Sequence, residues 1–168
     1  MRKTLDFLYD SAAALAALFL IGLLVMVLLS IIGRQLHFNL PGIDAYAGYL
    51  MAGCGFLALA DTLKRGEHIR VTLIMASLGP TARRWLERWA MGAGALLAAL
   101  FAFYSVRLVW QSHGYNDIST GNDATPLWLP QLAMAIGAVI FAIASLDEFI
   151  IEWNGRPLRM DAEALRHE

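Results

Sequence analysis

Residues Ala12 to Ile32 read AAALAALFLIGLLVMVLLSII, without a single charged side chain. A bilayer core of about 30 Å takes about 20 helical residues, so this run is long enough to cross it. A secretory signal has an apolar core of only roughly 7–15 residues, followed by a small-residue cleavage site. The run that follows Met1-Arg2-Lys3 is longer, and no such site precedes a polar mature chain. It reads as a retained membrane span.

The rest of the chain agrees with that reading. Of 168 residues, 58% are hydrophobic and 16% charged, against roughly 45–50% and 25% in ordinary soluble domains. Three more uncharged stretches appear: AYAGYLMAGCGFLALA (Ala45 to Ala60), WAMGAGALLAALFAFYSV (Trp89 to Val106) and LWLPQLAMAIGAVIFAIASL (Leu127 to Leu146). Solid apolar runs, not alternation of apolar and polar residues, specify helices and exclude a barrel. The expected fold is an all-α integral membrane protein forming one domain, with four transmembrane helices over about residues 12–33, 45–63, 85–109 and 126–150 and a polar tail over 153–168. Cys54 is the only cysteine, which excludes a disulfide within the chain. The net charge of -1 gives no field for nucleic acid, and none is expected as a partner.

Lys and Arg beside a span stay on the cytoplasmic side. Arg2 and Lys3 precede the first span, Lys64, Arg65, Arg70, Arg83, Arg84 and Arg88 separate the second from the third, and Arg156, Arg159 and Arg166 follow the fourth. The two remaining connections hold only Arg34 and Arg107. Both termini are therefore expected in the cytoplasm, with residues 33–44 and 110–126 on the other side. Lys64 and Arg65 stop the second span, each gaining about 1 kcal/mol from anionic phospholipid. Val71, Ile74, Met75 and Leu78 then recur at helical spacing, so residues 68–79 are expected to form a short amphipathic helix lying in the interface. Glu67, His68 and Arg70 are neighbours in sequence, and such side chains point in different directions, which disfavours a ligand site there. Pro80 suits the first turn of the next helix. Trp85, Trp89, Trp110 and Trp128 are expected interfacial anchors.

Ionisable side chains at membrane depth are costly and mark ion or proton pathways. None lies in the four uncharged stretches. Small multidrug exporters are similar four-span chains, but their first helix needs a buried carboxylate, and this one has none. A haem-binding anchor needs histidines at matched depth on facing helices. Here His37, His68, His113 and His167 all lie outside the spans. No cofactor is expected. An anchor for a redox enzyme and a small independent exporter are the rival readings. The spans do carry small residues four apart: Gly48 and Ala52; Gly94, Ala98 and Ala102; Ala133 and Gly137. Such rows let helices approach closely in lipid.

Four features in order carry a family resemblance. Arg34 follows the first span, and an acidic residue, Asp44, opens the second in PGIDAYAGYLM. FLALADTLKRGEHIRV closes the second span, with Gly66, His68, Ile69 and Val71 in a Gly-x-His-Ile-x-Val pattern, and TPLWLPQLAMAIG leads into the fourth. Over almost its whole length the chain resembles the small, DctQ-like membrane subunit of tripartite ATP-independent periplasmic (TRAP) transporters. Asp44 stands where many members carry Glu, keeping the charge with a shorter reach toward Arg34 or a partner arginine.

The resemblance implies a non-catalytic scaffold subunit in a bacterial inner membrane. Its partners would be a large membrane subunit that carries the substrate and sodium sites, and a periplasmic protein that captures an organic acid. Because the sequence stops at Glu168, the large subunit is expected as a separate polypeptide. Candidate partner or ion-pair contacts are Arg34, Asp44, Asp61, Lys64, Arg65, His68, Arg70, Asp147 and Glu148. Candidate contacts to the binding protein are His113, Tyr115, Asp117 and Asp123, in the polar segment WQSHGYNDISTGNDATP (Trp110 to Pro126); a flexible solvated loop is the alternative for that segment.

Overall fold

The computed structural model describes residues 2–38, 40–64 and 79–153. They form helices α1 (Arg2–Gln35), α2 (Ile43–Lys64), α3 (Pro80–Gly114) and α4 (Trp128–Trp153). All four are long and apolar enough to cross a membrane. The expected interfacial helix over 68–79 and the basic residues Arg65 and Arg70, with His68, lie outside the described residues, as does nearly all of the polar tail.

The helix ends follow from local chemistry. Proline lacks an N–H, and the first helical turn has no use for one; Pro80 accordingly sits just inside α3, behind an extended Gly79 cap. Two helices end in the same way. After α1, His37 takes a left-handed conformation (φ 57°) and the Phe38 N–H donates back to the Gly33 carbonyl at 3.0 Å. After α3, Asn116 does so (φ 54°) and the Asp117 N–H donates to the Ser112 carbonyl at 3.0 Å. Each reversal satisfies carbonyls that the helix leaves without partners. Pro41 and Gly42 (φ 80°) then turn the chain into α2, whose first turn holds Asp44 where the helix dipole favours an acid.

All four helices outrun the uncharged stretches, α1 and α3 by the most. α1 starts at Arg2 because the segment from Leu5 to Ala12 has an apolar side: Tyr9 and Ala12 are buried and Leu5 and Leu8 pack beside them. α3 continues to Gly114, so Trp110 to Gly114 is helix and not loop.

The helices stand in the row α1, α2, α4, α3: α1 packs on α2, α2 on α4 and α3 on α4, with a slight touch between α1 and α4. Enclosure is least in the outer α1, where 6% of the apolar window is enclosed, and greatest in the inner α4, where it is 39%. One core cluster joins Tyr9 and Ala12 of α1 to Ala60 of α2 and Ile140 and Ala144 of α4. The second joins Ala98 and Ala102 of α3 to Ala138 and Ala142 of α4. Along α3 the buried positions Ala95, Ala98, Ala102, Ser105 and Ser112 keep a heptad seam made of small side chains.

In lipid, helix association comes from close packing, because hydrocarbon chains solvate leucine as well as leucine does. The closest approach is at Gly137. A Cβ there would lie 2.5 Å from the Phe56 carbonyl carbon and oxygen and 2.9 Å from the Leu57 nitrogen. Nearby, a Cβ on Gly53 would meet the Phe19 ring and, at 3.2 Å, the Ala133 methyl. Gly48 and Gly94 have open space around them. The small-residue rows thus divide: Ala133, Gly137, Ala98 and Ala102 pack within the chain, whereas the outer ends of the other two rows do not.

Candidate functional site

The two short connections 36–42 and 115–127 share one end of the bundle, called here the loop end. The longer one is exposed along most of its length but is folded by its own hydrogen bonds. Ile118 and Pro126 form an antiparallel bridge. The Ser119 N–H donates to the Thr125 carbonyl at 2.8 Å, and the Leu127 N–H to the Asp117 carbonyl at 2.9 Å. The tip residues Ser119 to Asp123 turn back over the start of α2.

Asp123 ties this fold together. Its carboxylate accepts from the Ser119 hydroxyl at 2.8 Å and from the Tyr49 hydroxyl of α2 at 3.0 Å. Thr125 donates its hydroxyl proton to the Tyr46 hydroxyl at 3.1 Å, and the Tyr46 and Tyr49 rings meet edge to face at 6.1 Å. Gly42 completes the joint: a Cβ there would lie 2.7 Å from Asp123 Cβ and 2.9 Å from its Cα, which only glycine permits.

These hydrogen bonds favour the ionised carboxylate. The Ser119 hydroxyl, with help from Tyr49, outweighs partial desolvation and lowers the Asp123 pKa from 3.8 to about 2. A depressed carboxylate pKa stabilises the folded loop fully above the ordinary value, and that contribution is lost as pH falls through the lowered one. The carbon-13 signal of the Asp123 carboxyl in the detergent-solubilised protein should therefore titrate near 2. In Ser119→Ala the midpoint should rise toward the ordinary aspartate value; an unmoved midpoint would refute this assignment.

Beside the brace is a cleft of about 570 Å³, bordered by Arg34, His37, Phe38, Asp44, Gly121 and Asn122 among others. It gathers Arg34 and Asp44 from opposite sides of the α1–α2 turn. His113, Tyr115 and Asp117 occupy the α3 side of the loop end, where His113 meets Trp128 edge to face at 5.3 Å and Tyr115 is exposed. Of the four candidate docking residues, Asp123 alone is turned inward against α2.

The opposite, terminal end holds the remaining candidates. Asp61 lies near the end of α2, and Asp147 and Glu148 near the end of α4. Their expected partners Arg65 and Arg70 are outside the described residues, and the Lys64 side chain is too. Trp85 and Trp89 are exposed one turn apart on α3, and Trp110 is exposed near its other end. Tyr46, Tyr49, Ser119 and Thr125 were not singled out from the sequence. The only local signals were turn chemistry, Pro41-Gly42 and the run Ser119-Thr120-Gly121-Asn122-Asp123.

Comparison with known proteins agrees with this architecture. No curated protein matches the chain. A family model described as "Tripartite ATP-independent periplasmic transporters, DctQ component" matches residues 23–155, a stretch that takes in residues 23–35 of α1, all of α2 to α4 and both loop-end connections. Four helices fit to cross a membrane and a match over most of their length lead to one conclusion: the chain belongs to the DctQ family, the small permease component of TRAP transporters.

Proposed function

We propose that this chain is a non-catalytic scaffold subunit of a sodium-coupled TRAP uptake system for an organic acid. It lies in a bacterial inner membrane with both termini in the cytoplasm, and it packs against the large transport subunit, which moves the solute. One observation carries the reading. The middle of the bundle is closed by small side chains and by backbone contact at Gly137, while the outer apolar face of α1, including Leu18, Leu20, Ile21, Leu24 and Ile31, is uncovered. A bundle that is shut inside and apolar outside has surface to offer a partner but no passage for a solute.

The loop end faces the periplasm in this reading. Tyr115, Asp117 and His113 are its docking contacts for the binding protein, and the Asp123 brace keeps them in place. Arg34 and Asp44 in the open cleft are contacts for a neighbouring subunit. Asp61, Asp147 and Glu148 are candidate partner contacts at the cytoplasmic surface. The basic flanks of the sequence support this orientation.

Affinity purification of the chain from its native membranes in mild detergent should bring down a larger apolar membrane protein in equal amount. Deleting the chain should abolish uptake that depends on the binding protein, and supplying it in trans should restore uptake. Undiminished uptake after deletion, or sodium-driven accumulation in vesicles holding this chain alone, would overturn the proposal.

A further inference from the structure

At the terminal end, α3 and α4 leave a groove of about 450 Å³ between them, within the roughly 300–1,000 Å³ of sites that hold a small ligand. It is lined by Trp85, Arg88, Trp89, Gly92, Phe149 and Trp153, among others. Its floor is formed where the Phe149 ring lies over Gly92, with 3.2 Å between ring edge and the place of a Cβ. Arg88 stands over the Trp153 ring, its guanidinium carbon 5.6 Å from the centroid. The Arg88 Nε is buried and has no hydrogen-bond partner among the described residues.

A buried N–H without an acceptor costs about 1–3 kcal/mol, more for a charged group, so its retention calls for an explanation. The groove supplies apolar walls, a cation and three indoles, all three well exposed. Indoles concentrate where headgroups meet hydrocarbon, and arginine is the side chain best matched to phosphate. A lipid brings both a phosphate oxygen to Nε and an acyl chain to the aromatic walls.

We propose that this groove is a phospholipid site, in which Arg88 Nε donates to the lipid phosphate while the acyl chain lies along Trp89, Phe149 and Trp153. An anionic headgroup is preferred there, because it adds negative charge beside the guanidinium. The inference rests on the membrane reading of the four helices and not on any transport partner, so it is tested without uptake.

The measurement is tryptophan quenching by dibrominated phospholipids. With Trp110→Phe and Trp128→Phe, only Trp85, Trp89 and Trp153 report. The full chain is reconstituted in phosphatidylcholine bilayers containing dibrominated phosphatidylglycerol or dibrominated phosphatidylcholine. Quenching should reach half its maximum at about fivefold less of the brominated anionic lipid, the ratio corresponding to one cation near the membrane surface. Arg88→Gln should abolish the preference and Arg88→Lys should keep much of it. Ala93→Leu, which narrows the groove and leaves Arg88 in place, should weaken quenching by both lipids. Equal quenching by the two lipids in the wild-type background, or an Arg88→Gln chain of native helicity that keeps the preference, overturns the proposal. Loss of all quenching at this end when the chain is purified together with its membrane partner also overturns it, since the groove is then a protein interface.

Discussion

Gly137→Ala is expected to loosen the bundle more than any other single methyl added to it. The new Cβ would sit 2.5 Å from the Phe56 carbonyl group, and backbone cannot swing aside as a side chain can. Overpacking a tight core costs roughly 1–3 kcal/mol, and this contact belongs at the upper end of that range. α2 and α4 must separate, and the approach that holds helices together in lipid is lost with them. Gly53→Ala should cost less, because the atoms it meets belong to the Phe19 ring and the Ala133 methyl. Gly48→Ala, with open space around it, should stay within about 0.5 kcal/mol of wild type. Reversible unfolding in mixed micelles, followed by circular dichroism, ranks the three. Equal destabilisation at Gly137 and Gly48 would show that the crossing is looser than described.

Gly42→Ala is expected to unseat the loop end. Alanine at φ 80° costs roughly 1–2 kcal/mol relative to its ordinary backbone regions. Its methyl would also press on Asp123 Cα and Cβ, adding roughly 1–3 kcal/mol if neither side gives way. The lower-energy response is for the tip to lift, breaking the bond from Tyr49 to Asp123. Hydrogen exchange should then accelerate at the Ser119 and Leu127 amides, which are protected by bonds across the loop, while exchange in the middle of α4 stays unchanged. Unaltered protection at both amides would mean that Gly42 does not hold the tip.

Hydropathy made the four spans and their order readable, because the bilayer demands about 20 apolar residues wherever a helix crosses. Helix ends were less readable. Asp6 and Asp10 interrupt the apolar run, yet Tyr9 and Ala12 between and beside them are buried in the bundle, a preference that appears only once neighbours exist. Small-residue spacing announced close approaches without naming the partner: Gly137 met the backbone of α2, while Gly48 met nothing among the described residues. The polar run from Ser119 to Asp123 read as a docking contact or a solvated loop, and its middle residues are exposed, but Asp123 also bonds back to α2. Its inward turn depends on Tyr49, 74 residues earlier in the chain, a pairing no local pattern encodes. The groove at Arg88 was hidden for a similar reason: Trp85, Arg88 and Trp89 are visible as a motif, but Phe149 and Trp153 come from another helix.

The row order of the helices bears on how the protein is made. α1 finds its main neighbour in α2, and α3 finds its own in α4, so each half is a hairpin that can close as soon as its second helix enters the bilayer. The halves then meet through the core cluster of Tyr9, Ala12 and Ala60 with Ile140 and Ala144, the backbone crossing at Gly137 and the hydroxyl-to-carboxylate brace at Asp123. A chain interrupted between α2 and α3 and expressed as two pieces should therefore still assemble, by docking of the two hairpins.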